Sequence, residues 1–216
     1  MSLSVLRAMQ LADSGFPTGG FAFSWGLESA VADGQLDRRS LADWVAVELR
    51  SRWHRGDRVA LAGGHRHEGA ALTRWFDTVD GLMPVDRLRR DSLDAGDALF
   101  AAARALRIPM DPGACAAQAA GVGHFAVAHG SFLRRCGLDL LSALAASAFG
   151  MARGAFSAAV RLGLAGAIST QRDLLALAPL MAELATAPAP DDLPSGFMPL
   201  SDVALMRPRD GRLFIN

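Results

Sequence analysis

The sequence predicts an all-α fold: a single helical bundle-like domain with an extended C-terminal tail. Three features of composition carry that prediction. Alanine supplies roughly a fifth of the 216 residues, and it is both the best helix former and small enough to let helix axes approach. Tyrosine is absent and β-branched residues are sparse, which removes most of the vocabulary of strands. Apolar residues make up 51% of the chain and charged residues only 20%, so a large core can form and general disorder is excluded. The length suits one domain, residues 1–187, followed by a proline-rich tail, residues 188–216.

Each element follows from local pattern. Residues 4–12 read as a short helix ended by Gly15 and Pro17. After the glycine turn a second helix is expected from near Ser24, which can cap it. Ser40 with Asp43 resembles a capping box, and behind it Leu41, Val45 and Leu49 form one apolar stripe. A further helix is expected through the sixties and early seventies, bent near Gly63 and Gly64. Across residues 86–107, Ala95, Leu99, Ala102 and Leu106 share a face, and Pro109 ends the helix. Helices are then expected over 114–136, 139–163 and 170–186, with Gly150, Gly154, Ala155, Ala158 and Ala159 admitting close contact between axes. From "ATAPAPDD" onward the period is lost, and the tail must be pinned by something.

Charge excludes several functions. The 22 basic residues balance 22 acidic ones, which argues against nucleic acid. Every basic residue is arginine, so neither a Walker A lysine nor a Schiff-base lysine is available. Cys115 and Cys136 lie far apart without a CxxC and read as free buried thiols. The N-terminus lacks the basic and apolar regions of a secretory signal, and the cytoplasm is the expected compartment. Residues 113–133 carry no formal charge, but their histidines and glycines point to a packed helix pair, not a membrane span.

Candidate sites remain. In "DSGFPTGGFAFSWGLESA" the glycines match neither GxGxxG nor GxxxxGK. They read as a tight turn, and Phe21, Phe23 and Trp25 then serve as core residues or as interface anchors. His65, His67 and Glu68 suggest metal, but on a helix the two histidines would diverge by about 200°. His124 and His129 share a helix face poorly, and GxSxG and HExxH are absent. The chain reads as an interaction protein, not an enzyme. The alternative is an all-α protein binding haem or an apolar ligand through His124 or His129. A metal hydrolase built on His65, His67 and Glu68 lacks further ligands.

Several stretches together resemble the urease accessory protein F (UreF) family. They are "LADSGFPTGGFAFSWGLES" (11–29), "RDSLDAGDALFAAARAL" (90–106), the segment 123–175 containing "GHFAVAHG" and "SAAVRL", and finally "SDVALM" and "GRLFIN". The order of motifs is preserved along almost the whole chain. It departs from the family pattern at Arg207, Pro208 and Arg209 after Met206, and at Ala165, Gly166 and Ala167. The resemblance implies an all-α chaperone that dimerises, binds the UreD/UreH scaffold and recruits the nickel-carrying GTPase UreG. Nickel would then reach the urease apoenzyme in a GTP-dependent step, handled by the complex and not held firmly by this chain. Phe21 and Arg212 match the positions tied to GTPase recruitment. Ser24 and Glu28 would cap and orient the second helix, and Phe214 would dock the tail.

Overall fold

The computed structural model describes residues 3–13, 16–17, 26–83 and 85–188. Among them every regular element is helical. The order is α1 (Leu3–Leu11), α2 (Leu27–Ala32), α3 (Leu41–Glu48), a π-helix (Leu49–Asp57) and α4 (Arg58–Arg66). It continues with α5 (Gly69–Gly81), α6 (Asp86–Ala105), α7 (Pro112–Ala119), α8 (Phe125–Arg135), α9 (Leu140–Arg161) and α10 (Ala167–Thr186).

Helix α8 is the centre of the fold. Every residue from Ala126 to Leu133 is buried, and α4, α6 and α9 pack around it. Val127, Ala128, Phe132 and Leu133 are completely covered. Full burial of side chains such as the valine, leucine and phenylalanine contributes about 1.5–3 kcal/mol each. The most extensive contact between helices, that of α4 with α8, is made close by glycines from both sides. A Cβ on Gly64 would collide with the Val127 carbonyl, and one on Gly130 with the Leu61 carbonyl. A third such contact sets Gly96 of α6 against the Gly123 carbonyl.

The stripe Leu41, Val45 and Leu49 is fully buried as expected, and Trp53 continues it at 1% exposure. Trp53 lies on the π-helix and donates its indole N–H to Ser147 Oγ at 3.1 Å. Helices α3 and α4 thus run into one another through a wider-wound segment, which the periodicity did not reveal.

Five local expectations are corrected. Ser40 precedes α3 without a side-chain cap; Asp37 Oδ1 instead accepts from the Arg39 and Ser40 backbone N–H groups at 2.8 and 2.9 Å. Gly63 and Gly64 do not bend the chain: they lie inside α4, and the break falls at His67–Glu68. Residues 114–136 form two helices, separated by a connection in which Gly121 takes φ +76°. Helix α6 stops at Ala105, before Pro109, and leaves Leu106 45% exposed beyond the core-facing Ala95, Leu99 and Ala102. Finally, of the small residues expected to admit close contact in α9, Ala158 and Ala159 are completely covered, but nothing among the described residues lies within 4 Å of a Cβ built on Gly150 or Gly154.

The segment 113–133 is too interrupted to make one long helix. By length and composition, α9 alone among the described helices could cross a membrane; it packs against α10, α4, α1 and α2.

Candidate partner-binding site

Helix α1 is pinned at its C-terminal end. Leu11 is buried, Arg7 donates to the Cys136 carbonyl at 2.9 Å, and the ring of Phe16 lies 5.8 Å from that of Phe132. The rest of α1 stays open, with Leu3, Val5, Leu6 and Met9 between 47% and 66% exposed. Beside it lies an open groove of about 590 Å³ lined by Met9, Gln10, Asp13, Phe16, Pro17 and Leu106. Exposed apolar surface beside a groove makes this region a candidate contact site.

The groove takes in Phe16 and Pro17, but Phe21, Phe23, Ser24, Trp25, Arg212 and Phe214 lie outside the described residues. Glu28 is half-buried in the first turn of α2, where the helix dipole favours an acid. The expected start near Ser24 is corrected: α2 begins at Leu27, and Gly26, at φ +85°, occupies the N-cap position. Only glycine takes that backbone conformation without steric cost.

The histidines are each committed elsewhere. His65 lies 2.9 Å from the Leu138 carbonyl through Nε2, and the ring of His67 stands 5.8 Å from that of Trp75. Glu68 pairs with Arg134 at 2.8 Å. No cluster of three metal-ligating side chains occurs among the described residues. His124 is fully buried, with Nε2 2.8 Å from Asp80 Oδ1 and Nδ1 3.1 Å from Ser92 Oγ. A haem iron would have to displace one of these partners. His129, stacked on Phe125 at 5.0 Å, is held neutral by burial, which lowers its pKa to about 4. Cys136 is a buried thiol raised to about 11 by the same cause, but Cys115 is exposed, contrary to expectation.

A second polar cluster, invisible in the periodicity, occupies the π-helix. Burial pushes the Asp57 carboxyl up to about 6, against an opposing pull from Arg52. Arg58 is completely covered; it donates to the Ala187 carbonyl at the end of α10 and lies 3.4 Å from His54 Nδ1.

Comparison with known proteins places this architecture. The UreF family model matches residues 36–178, from the turn before α3 into α10. The chain belongs to the UreF family. A urease accessory protein UreF from Cereibacter sphaeroides is 33% identical over 214 residues, covering 96% of this chain and 95% of that protein. One from Rhizobium leguminosarum bv. viciae is 36% identical over 222 residues, covering 94% and 92%. One from Rhizobium etli is 35% identical over 179 residues, covering 81% and 75%. The UreF match contains α3 to α9 and the buried histidines. Helix α1 and the glycine-rich stretch precede residue 36, where that match begins.

The α1 surface was missed by sequence reasoning, although "LSVLRAMQL" carries apolar residues on more than one side. That all-round pattern in a short terminal helix was the available signal. Leu106 was missed because the helix was extended two residues, and its core face one residue, too far.

Proposed function

We propose that this chain is a urease maturation scaffold that bridges UreD/UreH and the nickel-carrying GTPase UreG for GTP-dependent nickel insertion into urease. The observation that supports it most is the exposed apolar side of α1, continuous with the groove that ends at Leu106. Membership of a family whose relatives are named urease accessory proteins supplies the pathway. In this reading nickel is cargo of the assembled complex, the chain acts by contact and not by catalysis, and the working form is a cytoplasmic homodimer. Phe21 and Arg212 recruit the GTPase: the ring supplies buried contact area and the guanidinium pairs with a carboxylate.

Co-purification with UreD/UreH and UreG, with nickel and GTP present, tests the reading by size exclusion. The expected result is a stable ternary complex that loses UreG when Phe21→Ala and Arg212→Ala are combined. Wild-type UreG retention by the well-folded double variant would remove those two residues from the site. Failure to bind either partner would sink the scaffold itself.

A further inference from the structure

The short connection between α7 and α8 ends in a buried polar chain. His124, the last residue before α8, has no solvent exposure. Its Nε2 lies 2.8 Å from Asp80 Oδ1 at the end of α5, and its Nδ1 lies 3.1 Å from Ser92 Oγ in α6. An ionised carboxylate only accepts, so the ring proton sits on Nε2 and donates to Asp80; Nδ1 then accepts the Ser92 hydroxyl. The same Asp80 oxygen accepts from Arg89 Nε at 2.6 Å. Gly123, one residue earlier, lays its carbonyl directly against Gly96, so α6 supports the connection by both packing and hydrogen bonding.

Burial and the neighbouring Arg89 guanidinium oppose charging this ring, and together they outweigh the Asp80 carboxylate, which favours it. The cation would have no contact with water, and Nδ1 would need an acceptor where Ser92 now donates. The charged groups facing it are Asp80 from α5 and Arg89 from α6. Arg89 already takes part of the Asp80 charge and itself repels a cation. Asp91, beside Ser92, is engaged by Arg87 at 3.2 Å, and α7 carries no acidic or basic residue. Once the segment opens, the same histidine is hydrated and takes a proton freely.

We propose that Ser92, His124 and Asp80 form an acid-sensitive latch. It holds residues 120–124 and the first turn of α8 onto α5 and α6 while the ring is neutral, and lets them open locally as acid charges it. Burial, the largest influence, lowers the His124 pKa below the ordinary histidine value. The closed form therefore binds fewer protons, and its stability is complete above about pH 6.5 and lost as pH falls below it. The population of the open form should rise by up to about tenfold per pH unit in that range.

Hydrogen exchange of the full chain at pH 7.5 and 5.0, corrected for intrinsic rates, tests the latch. Amides 122–128 should lose protection on the order of tenfold per pH unit below about 6.5, while the centre of α9 keeps its own. His124→Gln can donate to Asp80 and accept from Ser92 without titrating, and should hold its protection at both pH values. His129→Phe should respond like the wild type. Unchanged wild-type protection, an equal loss in α9, or an acid response that survives His124→Gln or vanishes in His129→Phe would each overturn the latch. Should His124→Gln not fold, the wild type alone decides. Its His124 ring, followed by NMR, must titrate together with the opening of 122–128, and a mismatch rejects the proposal.

Discussion

Two neighbouring residues of the π-helix junction show how position alone sets chemistry. Arg58 is completely covered, yet it donates to the carbonyl of Ala187, the C-cap residue of α10, where a cation complements the helix dipole. Asp57 lies beside it, and burial raises its carboxyl to about 6. A folded-state pKa above the ordinary 3.8 means that Asp57 favours the fold below about pH 4 and that this contribution is gone above pH 6. At neutral pH the ionised carboxylate therefore works against folding. Asp57→Asn should raise the thermal midpoint at pH 7.5 by roughly 2–4 °C, as a change of about 1 kcal/mol does in a domain of this size. The gain should fade below pH 5. An equal gain at pH 4 would show that the effect is not ionisation. Nothing in the amino-acid pattern distinguishes Asp57 from a solvated acid, because its shift comes from what packs over it.

At the scale of elements, glycine means different things at different places. Gly64 and Gly130 sit where two helix backbones touch, and a methyl group at either would have to push backbone aside. Gly64→Ala should cost about 1–3 kcal/mol, the usual penalty for overpacking a core. Gly150→Ala meets nothing among the described residues and should stabilise by about 0.5–1 kcal/mol through helix propensity. Chemical denaturation of the two variants checks both signs, and a destabilised Gly150→Ala would mean that a Cβ at that point of α9 meets a neighbour outside the described residues. The sequence contains both kinds of glycine in helices of similar composition. Which ones face a neighbour depends on how α4, α8 and α9 are arranged, and that is not written in the spacing. The buried stripe of α3, by contrast, was legible, since Leu41, Val45 and Leu49 recur every four residues and all three are covered. The π-helix that follows was not, because the same spacing of four is compatible with either winding.

For the whole molecule, the proposed partner surface is the open side of α1. Its base is fastened by Arg7, Leu11 and Phe16, so the exposed side is held out as a fixed feature. Replacing Leu6 and Met9 by aspartate touches no buried group and should leave helicity and thermal midpoint within about 1 kcal/mol of wild type. It should reduce capture of UreD/UreH or UreG by tenfold or more; unaltered capture of both would remove α1 from the binding surface.

The all-α class, the helical stripes of α3 and α6 and the family motifs were legible in the sequence because composition and period are local properties. The termini of α2 and α6 and the glycine-lined contact of α4 with α8 came only with the tertiary structure. So did the joining of Asp80, Ser92 and His124, residues far apart in the chain that share one buried hydrogen-bonded line. Periodicity says which side of a helix is apolar. Only packing says what stands opposite it, and the protonation of a buried group or the exposure of an apolar one depends on that neighbour.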